Sequence, residues 1–384
     1  MRFGSVIFLF LTALTSQTAY SQNEPHNALE YQNRGLHKQA SNDLDGAIAD
    51  YDKAIQLNPR LIEAYNNRAN ARMAKGDKEG ALADYSKAVQ VSPQEFMPYY
   101  NRATGELSLG ETDAAIADFT KAIEIFPDFA MAYNNRGNGF QAKGDFDSAI
   151  KDYSKAIELN PKSSIGYYNR SCALREKGEL ETALSDSNKA IEIDPSFADA
   201  FYNRALIFES QKFGDKAIED LNRCLEISAD NAEALYARGL AFQNKNETKA
   251  ALRDFTRAIE VKPSLAGPYL ARGIIEKSIG EISAALLDYN KAIELDPNDA
   301  VAYVNRGIAR QDKGDAKGAI SDYTQAISLD PSSATAYANR GISLLLIGKE
   351  DEADKDFTRS FQLDPSLKPV FEKYLRKMKK YRGQ

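Results

Sequence analysis

Residues 130–163 read AMAYNNRGNGFQAKGDFDSAIKDYSKAIELNPKS, and residues 164–197 read SIGYYNRSCALREKGELETALSDSNKAIEIDPSF. Laid one above the other, they pair Tyr133 with Tyr167, Arg136 with Arg170, Ala149 with Ala183, Asp152 with Asp186 and Pro161 with Pro195. Each holds two stretches with apolar or small residues at helical spacing, broken by Gly144-Asp145 or Gly178-Glu179, which predicts two helices and a tight turn. Working outward, prolines stand at 59, 93, 127, 161, 195, 263, 297, 331 and 365, a period of 34 with one step filled by Ala229. That period gives ten repeats, from 28–61 to 334–367, with no residue inserted or lost between them. A 34-residue period means stacked helical hairpins, so the expected fold is all-α.

Numbered from the start of each repeat, place four is aromatic in nine repeats, with Leu235 the exception. Place eight is Gly, Ala or Ser, and place twenty is Ala throughout, from Ala47 to Ala353. Small residues there let helix backbones approach closely. Place twenty-four is aromatic in eight repeats, departing at Ser187 and Leu221, and place twenty-seven is Ala except at Cys224 and Ser360. With proline at place thirty-two, the pattern resembles the tetratricopeptide repeat (TPR) family over residues 28–367. The resemblance implies an alpha-alpha superhelix, a right-handed solenoid of antiparallel hairpins, that acts as a scaffold for other proteins. It also implies that the first helix of each hairpin, helix A, lines a concave groove with places two, five, six, nine, twelve and thirteen.

Place seven, usually leucine in that family, is arginine in every repeat here, from Arg34 to Arg340, and place twenty-three is always aspartate. The two stand on the two helices of one hairpin, so an internal ladder of ion pairs is expected rather than a row of arginines offered to an anion.

The groove places carry the functional expectation. Place six is Asn in eight repeats, including Asn67, Asn101, Asn135, Asn169 and Asn203, and a carboxamide can donate to and accept from an extended peptide backbone. Such a row is similar to the asparagine ladder of the nucleocytoplasmic O-linked sugar transferases, which holds peptides. Place five adds Tyr100, Tyr168, Tyr202 and Tyr236 as amphipathic anchors. Place nine turns from Asn70 and Asn138 to Leu240, Ile274 and Ile308, so an exposed apolar stripe is expected in the later repeats. The Lys and Arg pair with which chaperone-binding relatives clamp a C-terminal carboxylate does not occur. Repeats six to eight depart together: Ala229 for proline, Ala237 and Ala271 for Asn, Phe213-Gly214 at the turn and Pro268 in a first helical turn.

The ends differ from the array. Residues 1–21 carry Arg2, an apolar run from Val6 to Leu14 and the small-residue stretch Ala19-Tyr20-Ser21, as a secretory signal does. Cleavage before Gln22 is expected, leaving a linker at 22–27 and a periplasmic or extracellular protein, with an uncleaved membrane anchor as the alternative. Residues 368–384 place Phe371, Tyr374, Leu375 and Met378 at helical spacing among basic residues, which predicts a basic capping helix. An alternative function follows from it: tethering to an envelope or membrane surface. Evenly mixed charge, 49 Lys and Arg against 55 Asp and Glu, argues against a nucleic-acid partner. Only His26 and His37 occur, Cys172 and Cys224 are far apart, and neither a phosphate loop nor a serine elbow appears. No catalysis, metal or cofactor is therefore expected, and a protein or peptide is the expected partner.

Overall fold

Alternating capping residues and glycines delimit the helices. Asp43, Asp77, Asp145 and Asp315 accept the backbone N–H three residues on and start the second helix of their hairpins, helix B. Gly76, Gly110 and Gly178 end helix A in the left-handed conformation. A computed structural model of the chain describes residues 24–369. The expected signal at 1–21 and residues 370–384 of the expected basic cap lie outside the described residues. Among the described residues the elements are twenty α-helices.

The chain divides into two compact units, 1–195 and 196–384, each of five hairpins. The first holds α1 (Ala28–Ala40), α2 (Leu44–Leu57), α3 (Ile62–Lys75), α4 (Lys78–Val91), α5 (Phe96–Leu109), α6 (Thr112–Ile125), α7 (Ala130–Ala142), α8 (Phe146–Leu159), α9 (Ser164–Lys177) and α10 (Leu180–Ile193). The second holds α11 (Ala198–Ser210), α12 (Gly214–Ile227), α13 (Ala232–Asn244), α14 (Thr248–Val261), α15 (Ala266–Ser278), α16 (Ile282–Leu295), α17 (Ala300–Asp312), α18 (Ala316–Leu329), α19 (Ala334–Leu346) and α20 (Glu350–Leu363). Within each unit a helix A packs on its own helix B, on the preceding helix B and on the neighbouring helices A.

Two rows of side chains make the core. The place-twenty-four rings of Tyr51, Phe119, Tyr153, Phe255, Tyr289 and Tyr323 are fully buried, each stabilising by roughly 2–3 kcal/mol relative to exposure. Small residues at place eight make room: a methyl group at Gly137 would stand 2.7 Å from Tyr153 Cε1. The expected ion ladder is present in all ten hairpins, with Arg Nε and Nη2 donating to the two carboxylate oxygens of the aspartate at 2.5–3.1 Å. The third nitrogen reaches back one hairpin: Nη1 of Arg68, Arg136 and Arg170 donates to Asp52, Thr120 and Ser154 in the first unit, and Nη1 of Arg238 and Arg306 to Asn222 and Asn290 in the second. Nine of the arginines also lie 5.3–6.0 Å from the centre of their place-four ring, a cation–π contact. An ion pair bound this fully to its own hairpin and the preceding one has little left to offer a ligand.

The displaced turn glycine of the sixth repeat has a plain account. Place fifteen keeps the left-handed backbone whether or not it is Gly, so Asn42, Lys212 and Asn246 adopt φ of 64°, 63° and 60°. Both cysteines are thiols, Cys224 buried and Cys172 half-buried.

Candidate functional site: the helix-A face

The place-six asparagines are not equivalent. Asn67 and Asn101 are half-buried, and their carboxamides make no hydrogen bond among the described residues. Further along the first unit the amides join a network. Asn135 Nδ2 donates to Tyr100 Oη at 3.0 Å, and Asn134 Nδ2 to Asn135 Oδ1 at 3.3 Å. Asn169 Nδ2 donates to Asn134 Oδ1 at 3.0 Å and Asn138 Oδ1 at 3.3 Å, and Asn138 also accepts from the buried phenol of Tyr153 at 2.8 Å. Asn135 and Asn169 thus tie helix A of one hairpin to the helix A before it. Burial raises the pKa of the Tyr100 phenol, so it is a neutral donor and acceptor at physiological pH.

Tyr168 is half-buried on the same face. In the second unit Tyr202 and Tyr236 are also half-buried, the Tyr236 ring lying 5.9 Å from that of Phe255. Asn203, however, is only 2% exposed, which corrects its reading as a groove donor: a carboxamide without solvent-facing surface has no atom to present. The place-nine residues need a second correction. Leu240 packs on Ala251, Phe255, Ala271 and Ile275, and Ile274 packs on Ala285, Tyr289 and Ala309. These two fill seams between helices, and Ile308 is half-buried, so the three form no exposed stripe.

Exposed apolar surface lies at place two instead. Met97, Met131 and Ile165 are 41%, 39% and 39% exposed on three successive helices A, α5, α7 and α9, which pack in sequence. Beside them is an aromatic cluster: Phe96 lies 4.8 Å from Phe126 and 4.9 Å from Phe129 between ring centres, and Tyr100 lies 4.9 Å from Phe129. Phe126 is exposed. The signal for these residues was in the sequence, as an apolar residue recurring 34 places apart and a linker, Phe126-Pro127-Asp128-Phe129, unlike the other linkers. Over repeats two to four, places two, five, six, nine, twelve and thirteen carry a single charge, Glu63. Over those three repeats such a face can hydrogen-bond main-chain amides and cover apolar side chains without a cation to hold a carboxylate or phosphate; the fifth repeat, which carries Ile165, adds Arg175 and Glu176 at places twelve and thirteen.

Models of the tetratricopeptide repeat match residues 62–95, 98–129, 130–163, 153–185, 198–231 and 232–265, and models of the TPR repeat match 39–76, 173–212, 275–314 and 309–348. Comparison with curated protein sequences gave no match. Among solved structures, the chain is similar to a tetratricopeptide repeat protein from Parabacteroides merdae, at 20% identity over 65% of this chain and 98% of that one, TM-score 0.51. It is similar to an IFIT1 monomeric mutant at 14% identity, over 89% and 91% of the two chains, TM-score 0.54. YrrB, a TPR protein with an unusual peptide-binding site, is 27% identical over 49% of this chain and 96% of its own, TM-score 0.41. No described helix is long and apolar enough to cross a membrane. With ten repeats in one register and repeat models matching along most of its length, the chain belongs to the tetratricopeptide-repeat family, whose stacked hairpins serve as protein-interaction scaffolds.

Proposed function

We propose that the protein is an exported, non-catalytic scaffold that holds an extended, uncharged stretch of a partner polypeptide on the helix-A face of its first unit. The observation that carries this reading is the pairing, on a face almost without charge, of open carboxamides at Asn67 and Asn101 with the exposed row Met97, Met131 and Ile165. Packed helices lie about 8–10 Å apart, and three residues of extended chain span about 10 Å, so a ligand with an apolar side chain at every third residue would match the row. Asn135 and Asn169 hold the adjacent helices A in register, and Tyr100 and Tyr168 contribute flat amphipathic surface. The signal-like character of residues 1–21 supports export, and the near absence of groove charge disfavours carboxylate-tail recognition.

Crosslinking in the native compartment, read by mass spectrometry, tests the reading with the wild type, Asn67→Ala with Asn101→Ala, and Met97→Asp with Met131→Asp. Both variants should lose the same partner peptides, by about tenfold for each 1.4 kcal/mol of binding removed. An unchanged catch from both would sink the proposal, and recovery of the repeats on the cytosolic side in a protease-protection assay would sink the exported part of it.

A further inference from the structure

In five repeats the place-eleven side chain faces the aspartate of the ion ladder, and across all ten its chemistry falls into three kinds. In repeats one, two and nine it is a base: Lys38 Nζ lies 2.9 Å from Asp50, Arg72 Nη1 2.8 Å from Asp84 and Arg310 Nη1 2.9 Å from Asp322, giving each aspartate a second cation. In repeats four to seven and ten it is apolar: Phe140, Leu174, Phe208, Phe242 and Leu344. In repeats three and eight it is an acid, Glu106 and Glu276, so that two carboxyls share one guanidinium. The two stand 170 residues apart, five repeats, each in the third hairpin of its unit. Both hairpins also have proline at place three, Pro98 and Pro268.

Neither carboxyl is provided for as an anion. Glu106 is 8% exposed; its Oε2 has no hydrogen-bond partner among the described residues, and its Oε1 is 3.8 Å from Arg102 Nε, which already donates to Asp118. Glu276, half-buried, has a similar setting, with Oε2 unpartnered among the described residues and Oε1 3.9 Å from Arg272 Nε, which donates to Asp288. The charged groups facing Glu106 are Arg102 on α5, Asp118 on α6 and Glu111 in the turn; α3, α4 and α7, which also pack on α5, present none to it. Facing Glu276 are Arg272 on α15, Asp288 and the Tyr289 phenol on α16, and Glu281 in the turn, with none from α13, α14 or α17.

We infer that Glu106 and Glu276 are proton-operated latches, one in the third hairpin of each unit: protonated, each carboxyl lets helix A close on helix B, and loss of the proton loosens that hairpin. An ionised carboxylate would be buried beside a second carboxylate with one cation between them, which is the arrangement that costs most. Burial first, and then Asp118, push the Glu106 carboxyl up to about 7, and burial and Asp288 push that of Glu276 up as well. A carboxyl raised in the folded state contributes stability that is full below its unfolded value and is lost as pH rises through its folded value, so the Glu106 latch opens between about pH 5 and pH 8. Because α5 also carries Met97 and Tyr100, opening would alter the face on which a peptide lies; that consequence, unlike the latch, rests on the function proposed above.

Hydrogen exchange of the full chain, corrected for intrinsic rates and read on 96–125, 266–295 and the control hairpin 130–159, tests the latch from pH 5 to pH 8. In the wild type, protection of 96–125 should fall by roughly tenfold or more across that range and protection of 266–295 should fall as well, while the control stays level. Glu106→Gln should abolish the fall in 96–125 only, and Glu276→Gln in 266–295 only. Glu106→Arg, which copies Arg72, should remove it as well and raise protection at pH 8. A level wild-type profile in both hairpins, an equal fall in the control, or a fall that persists in the variants would overturn the inference.

Discussion

A place-seven arginine such as Arg136 serves two hairpins because its planar fork has donors pointing both ways. Nε and Nη2 close one hairpin with two parallel N–H bonds to the carboxylate while Nη1 reaches the preceding one, a fixed fork that the ammonium of lysine lacks. Place twenty-four follows a similar local logic. A buried tyrosine needs an acceptor, and places nine and twelve supply it: Gln39 for Tyr51, Asn70 for Tyr85, Asn138 and Gln141 for Tyr153, Gln311 for Tyr323. In the eighth repeat those places are Ile274 and Lys277, and the Tyr289 hydroxyl is buried without a partner. Tyr289→Phe should therefore be neutral or stabilise by up to about 1 kcal/mol, whereas Tyr153→Phe should destabilise by about 1 kcal/mol. Thermal melting of the two variants side by side checks the difference, and equal losses would refute it.

At the scale of the helix, the left-handed turn residue decides how cleanly α-helix A stops. Seven repeats place glycine there at φ of 77–91°, while Lys212 takes φ 63° with a side chain that gains nothing from the conformation. Replacing it by glycine should relieve roughly 1 kcal/mol of strain, less the extra entropy of the unfolded chain. Slower hydrogen exchange across α11 and α12 in Lys212→Gly is the expected reading; faster exchange would mean that the chain-entropy cost exceeds the strain relieved. The Phe213-Gly214 departure in the sequence is thus a change of residue at an unchanged backbone turn.

For the molecule as a whole, the division after Pro195 falls at the border between the fifth and sixth repeats, and each unit has its own packed clusters: Tyr51, Tyr85, Phe119 and Tyr153 centre those of the first, Phe255, Tyr289 and Phe357 those of the second. Stacked repeats draw stability from nearest neighbours, so fragments 22–195 and 196–384 should each fold. Circular dichroism of the separate fragments should give strongly helical spectra with cooperative melts; a fragment that stays unfolded would show that its five hairpins are too few to hold together.

Sequence by itself determined the hairpins, their number and the ion ladder. Those depend on spacings within 34 residues, and a seven-to-twenty-three separation puts Arg136 opposite Asp152 wherever the helices form. It could not rank the faces of those helices. Ile274 and Met131 are both apolar groove-place residues, yet one packs in a seam beside Tyr289 and the other remains in solvent. Asn101 and Asn203 share place six, yet only the first is open. Tertiary structure decided these, because burial is set by what the adjoining hairpins bring against a side chain, and neighbours 30 or more residues away leave no mark on its local pattern.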